Sequence, residues 1–139
     1  MPADFFIDAD LGMVFSKATG VISLADGEDH MDRLSADPEF RPEYNQLFDL
    51  RQARGTALSD NALRSLASRK IFSGNSRRAF VVEGDLEFGL SRVFATYREI
   101  QGEHGIHVFR EMKEALSWLS LSAEPDPGLF NRLRPSGVA

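Results

Sequence analysis

Apolar and polar positions along the chain change period several times, and each change marks an element. Residues 4–8 and 13–17 are short apolar or alternating runs. Between them Asp10 and Gly12 supply turn chemistry, which predicts a hairpin of two antiparallel strands. Gly20 is expected to break the chain. Ser23 then stands where an N-cap belongs, with Asp26 in the capping-box position, so a helix is predicted to about residue 35. Its stripe is thin, with Leu24, Met31 and Leu34 joined by Ala25, and Gly27 weakens its interior by roughly 1 kcal/mol relative to alanine. The Asp37-Pro38 step ends it, because proline disfavours helical geometry in the preceding residue.

Leu47, Phe48 and Leu50 make residues 44–50 an interior strand, with Asp49 near its carboxyl end, and residues 51–58 read as a polar connection. Ser59 is placed to cap a helix to about residue 72, striped by Leu63, Leu66, Ala67 and Ile71. After a loop at 73–76, residues 79–82 are a buried strand. From 86 to 101, Leu86, Leu90, Val93, Phe94, Tyr97 and Ile100 are spaced 4, 3, 1, 3 and 3 apart, the pattern of an amphipathic helix. Residues 106–109 form a last strand. Met112, Ala115, Leu116 and Leu119 put a final helix on the same core, with Trp118 at its rim. Prolines and glycines beyond Ser122 mark a tail in which Leu129, Phe130 and Leu133 are available to dock. The order ββαβαβαβα implies crossover units. The expected fold is a single α/β domain over residues 1–121, with a tail at 122–139. Its sheet is mixed but mostly parallel, of about five strands, with an antiparallel edge from the opening hairpin.

Composition narrows the function classes. The chain has 139 residues, 42% hydrophobic and 27% charged, enough apolar surface for one core. There is no cysteine, so disulfides, thiolate nucleophiles and sulfur-ligated zinc are excluded. The amino terminus lacks a basic region followed by an apolar stretch, and no uncharged run approaches the roughly 18 residues of a membrane span, so a cytoplasmic location is expected. A net charge of −5 argues against nucleic-acid binding, which needs a basic surface. The charge is polarised: residues 1–49 hold eleven acids and three bases, whereas Arg51, Arg54, Arg64, Arg69, Lys70, Arg77 and Arg78 face only Asp60 in the segment 51–78.

Four segments carry a resemblance. They are Asp37-Pro38-Glu39-Phe40, Leu47-Phe48-Asp49-Leu50-Arg51, Phe88-Gly89-Leu90-Ser91-Arg92, and Val108-Phe109-Arg110 with Glu114-Ala115-Leu116-Ser117-Trp118-Leu119. In this order, over residues 4 to 121, the chain resembles the STAS-like superfamily named after anti-sigma-factor antagonists, and more closely its uncharacterised bacterial SpoIIAA-like branch. None of the four is a catalytic signature. In regulatory members of the superfamily a serine at the start of the helix after the third strand is phosphorylated, which switches binding to a partner kinase. Ser59 is nearest by position, although the sequence here reads Arg54-Gly55-Thr56-Ala57-Leu58-Ser59-Asp60 in place of an Asp-Ser-Ser-Gly or Asp-Ser-Thr-Gly context. The plainer role for Ser59 is an N-cap.

Candidate chemistry is sparse. Asp8, Asp10 and Gly12 echo a calcium loop, but the glycine falls one place early and the twelfth position is Thr19. His104 and His107 straddle a loop and a strand with no third ligand in spacing. Ser91 in Gly89-Leu90-Ser91 falls inside a helical pattern, not at a nucleophile elbow. Asp49, Arg51, Arg54 and the helix start at Ser59 could together hold an anion; the competing arrangement pairs Asp49 with Arg51. An apolar pocket roofed by Phe88, Phe94 and Tyr97 is the other candidate. With no catalytic, cofactor or metal constellation in the sequence, the leading expectation is a non-enzymatic domain that binds a protein partner, regulatory if Ser59 is modified. The alternative is a carrier of a small or lipid-like ligand. A cavity beside Phe88 and Phe94 favours the carrier, and a flat region favours the protein binder. The thin first stripe and the apolar tail also leave greasy surface that a homodimer would cover.

Overall fold

Five strands and five helices follow one another as the periodicities require. The computed structural model describes residues 2–132. The strands β1 (Ala3–Asp8), β2 (Met13–Val21), β3 (Asn45–Arg54), β4 (Arg78–Val81) and β5 (Ile106–Phe109) lie side by side in chain order. The β1–β2 pair is antiparallel and the other three pairs are parallel. Helices α1 (Leu24–Ala36), α2 (Asp60–Ala67) and α3 (Asp85–Ile100) supply the three crossovers, and α4 (Met112–Trp118) and α5 (Gly128–Arg132) close the chain. This is the mixed α/β domain expected from the pattern.

Alternation along the strands splits the core in two. Phe48 and Phe80 pack with Leu63, Leu66 and Phe94 under α2 and α3, while Val14 joins Leu34 of α1, Phe40 and Phe72. Phe15, Leu47 and Val81, on the other face, pack with Met112 and Ala115 of α4. Helix α4 therefore sits on the face opposite the crossovers, not on the same core. Leu129 and Phe130 dock on that second face, where the Phe130 ring lies 4.9 Å from that of Phe6; Leu133 lies outside the described residues.

Four local expectations need correction. Gly20 does not break β2, which runs on to Val21 with Gly20 at φ +75°, a conformation glycine accepts freely. β3 extends to Arg54, so the first half of the expected connection at 51–58 is strand, and one extra residue sits in β3 where Lys17 pairs with Asp49 and Thr19 with Gln52. α2 stops at Ala67, five residues early, because the Arg98 guanidinium takes the Ala67 carbonyl at 2.8 Å; Ile71 and Phe72 instead pack from the following loop. α3 has the expected length but a rotated face. Its buried positions are Ser91, Phe94, Ala95 and Arg98, whereas Leu86, Val93 and Ile100 are exposed, Ile100 by 76%.

Candidate functional site

The capping box on α1 is formed as the sequence requires: Ser23 Oγ accepts from Asp26 N–H, and the Asp26 carboxylate accepts from Ser23 N–H. That entry aims His30 and Leu34 at the sheet, and both are buried. Gly27, costly to helix propensity, has a packing reason: a Cβ there would stand 2.8 Å from Leu66 Cδ2 of α2. Between α1, α2, α3 and the sheet, a cleft of about 140 Å³ remains unfilled. Its walls are apolar, with Phe48, Phe72, Phe80, Leu66 and Phe94 among them.

A buried chain of hydrogen bonds meets the deep side of this cleft. His30 Nε2 lies 3.0 Å from Ser16 Oγ, and Ser16 Oγ accepts from Gln46 Nε2 at 3.0 Å. Gln46 Oε1 accepts from Arg78 Nε at 3.0 Å, and Arg78 Nη1 donates to both oxygens of Glu103, at 3.1 and 2.9 Å. Arg98 Nε donates to the same carboxylate at 2.9 Å. Arg78, Arg98 and Glu103 are 7%, 1% and 2% exposed. Burial lowers the pKa of His30 from 6.5 to about 3, and the positive charges of Arg33 and Arg78 push the same way, so the ring is neutral. A neutral ring whose Nε2 accepts the Ser16 hydroxyl completes the chain. Ser16 and His30 thus approach as a nucleophile and base would, but Ser16 is not among the residues lining the cleft, and its hydroxyl serves to fix the ring.

The residues singled out from sequence separate. Ser59 is the N-cap of α2, its Oγ accepting from Ala62 N–H at 3.1 Å. Asp49 and Arg51 pair through bonds of 2.9 Å on the sheet face that carries α4, and Arg51 also reaches Glu124 at 2.8 Å. Burial raises the Asp49 pKa, but the Arg51 bonds more than offset this and hold it below the ordinary range. Arg54 donates to its neighbour's carbonyl, Ala53 O. The four groups do not assemble an anion site: α2 covers the opposite face, Arg51 is already held by two carboxylates, and Asp49 lies mid-strand. The strands run in simple sequential order, so the sheet lacks the switch point at which open α/β sheets form their crevice.

Of the three aromatics proposed as a pocket roof, Phe94 alone lines the cleft. Arg110 and Arg92 lie over the Phe88 ring at 4.3 and 5.9 Å, and Tyr97 bonds Asp60 through its hydroxyl beneath the Arg64 guanidinium. His104 and His107 are exposed, and His107 stacks on Trp118 at 4.4 Å. Among the described residues no three His, Asp or Glu side chains gather as a metal ion would require. Sequence reasoning missed His30, Gln46, Arg78, Arg98 and Glu103. His30 was within reach of it, since position 30 falls on the same helical stripe as 27, 31 and 34.

No family model and no curated protein matches the chain. Among solved structures it is similar to an uncharacterised protein of the DUF3478 family with a SpoIIAA-like fold, from Shewanella loihica PV-4. The two are 24% identical, over 77% of this chain and 83% of that one, with a TM-score of 0.49.

Proposed function

We propose that this domain acts by binding, not by catalysis, and that what it binds is a small apolar molecule held in the cleft between α1, α2, α3 and the sheet. The observation that carries this reading is the cleft itself, about 140 Å³ walled by Phe48, Phe72, Phe80 and Phe94 in a domain whose other face is filled by α4 and α5. Close-packed interiors rarely leave such a volume, and an engineered apolar cavity of roughly 150 Å³ takes up benzene. Toluene is a direct probe. It should shift amide signals of α1, β3 and β4 saturably in nuclear magnetic resonance spectra of the native protein. Absence of saturable shifts, or shifts confined to the outer face of α3, would sink the reading.

A second reading keeps the protein partner, and one observation favours it. Leu86, Val93 and Ile100 stand exposed seven residues apart on α3, a stripe that suits a helix or another protein face. It predicts the opposite result with toluene.

A further inference from the structure

The polar chain behind the cleft does not balance its charge. Arg78 and Arg98 share the single carboxylate of Glu103, so three side chains almost wholly out of water carry a net charge of one positive unit. Guanidinium groups stay protonated in proteins, and buried charges are normally paired. Nor are all the donors used. The Arg78 Nε hydrogen goes to Gln46 and Nη1 goes to Glu103, whereas Nη2 donates to no atom of the described residues. Arg78 is 93% buried, yet it lines the cleft. Its guanidinium carbon lies 4.2 Å from the centre of the Phe72 ring and 5.5 Å from that of Phe80. With those rings against the guanidinium and Nε and Nη1 already engaged, the Nη2 hydrogens remain as donors of the kind a carboxylate accepts from.

We infer that the cleft accepts a small apolar monocarboxylate head first, its carboxylate on the Nη2 edge of Arg78 and its hydrocarbon among the phenylalanines. This rests on the ligand-binding reading above and names the class of ligand. Direction follows from burial: Arg78, Gln46 and Phe72 are buried, while Ile22, Met31, Leu50, Leu58 and Leu90, on the same walls, are half-buried. The charged end therefore belongs at the deep end and the tail toward the rim. Charge limits the head group. One negative unit neutralises the cluster, a dianion would bring a second charge although Arg69, the other cation on the walls, is already paired with Asp32, and an amine would meet a like charge. Volume limits the tail, because a space near 140 Å³ suits a single ring or a chain of about six carbons.

Hexanoate, 1-hexanol and hexylamine carry the same tail and three different heads, so titrating each into the native protein separates the head from the tail. Followed by amide shifts at neutral pH, hexanoate should bind roughly tenfold to a hundredfold tighter than hexanol, the range of a hydrogen bond to a charged group. Hexylamine should be the weakest. In Arg78→Met the advantage of hexanoate should vanish while hexanol binds as before; if that variant does not fold, the native series decides. Equal binding of hexanoate and hexanol overturns the carboxylate assignment and leaves the apolar cleft standing. So does hexanoate binding whose shifts miss the start of β4. Failure of all three to bind overturns both.

Discussion

Burial sets the charge of His30, and its consequence is a pH dependence with a definite sign. In the folded protein the ring titrates at about 3, against 6.5 for an exposed histidine. Between those values the unfolded chain binds a proton that the folded chain refuses, so stability rises with pH across that window. The contribution is complete above pH 6.5 and drains away as the pH falls toward 3; over the full window it is on the order of a few kcal/mol. His30→Gln removes the titrating group while keeping a side chain that can bond Ser16. Denaturation curves of the variant should have a shallower dependence on pH than the parent from 6.5 down to about 4.5, above the range where carboxylates dominate. Parallel curves for the two proteins would contradict the neutral buried ring.

Between elements, two glycines make opposite demands. A Cβ on Gly105 would lie 1.8 Å from the Ser76 carbonyl oxygen, and that oxygen is backbone, which no rotamer change can move. The segments entering β4 and β5 meet there, with Arg78 N–H donating to Gly105 O at 2.8 Å. Gly105→Ala should therefore destabilise by roughly 2–4 kcal/mol, the range of a forced backbone shift. Gly89, inside α3, has nothing within 4 Å of such a Cβ. Gly89→Ala should stabilise by up to about 1 kcal/mol, the helix-propensity difference. Urea denaturation of the pair checks both, and equal midpoints would reject the packing account. Elements with local punctuation were legible in the sequence: the Ser23 capping box, the Asp37-Pro38 stop and the strand at 106–109 all appear where their residues put them. The face of α3 was legible only in part: Leu90, Phe94 and Tyr97 pack as expected, but Arg98 is buried and Leu86, Val93 and Ile100 are not, because a hydropathy pattern places arginine outside. Arg98 is inside because the chain turns at Gly102, φ +98°, and brings Glu103 back onto it, with Glu103 N–H donating to Arg98 O at 3.0 Å. The cleft was half legible for the same reason. Its phenylalanines were visible as apolar positions, but the arginine and glutamate behind it act through contacts distant in sequence.

Over the whole molecule, the charge polarity of the sequence is largely consumed within the fold. Four of the seven basic residues of segment 51–78 are paired with acids: Arg51 meets Asp49 and Glu124, Arg64 meets Asp60, Arg69 meets Asp32 and Arg78 meets Glu103, while Arg54 and Arg77 donate to the Ala53 and Trp118 carbonyls. One of these pairs ties the tail to the sheet, since Glu124 lies beyond α4 while Arg51 lies in β3. The tail also brings Leu129 and Phe130 onto the cluster of Phe6, Phe15 and Met112. Magnitudes separate the two ties. The ion pair is half exposed at Glu124, and such pairs contribute under about 1 kcal/mol, whereas burying apolar side chains of this size contributes roughly 2–4 kcal/mol together when they are only partly covered. A chain ending at residue 121 should therefore lose roughly 2–4 kcal/mol of stability in urea denaturation, while Glu124→Gln in the full chain should lose under about 1 kcal/mol. If the shortened chain matches the full one, α5 does not hold the second face of the sheet; if Glu124→Gln alone reproduces the truncation, the tie is ionic, and the loss should then shrink as salt is added.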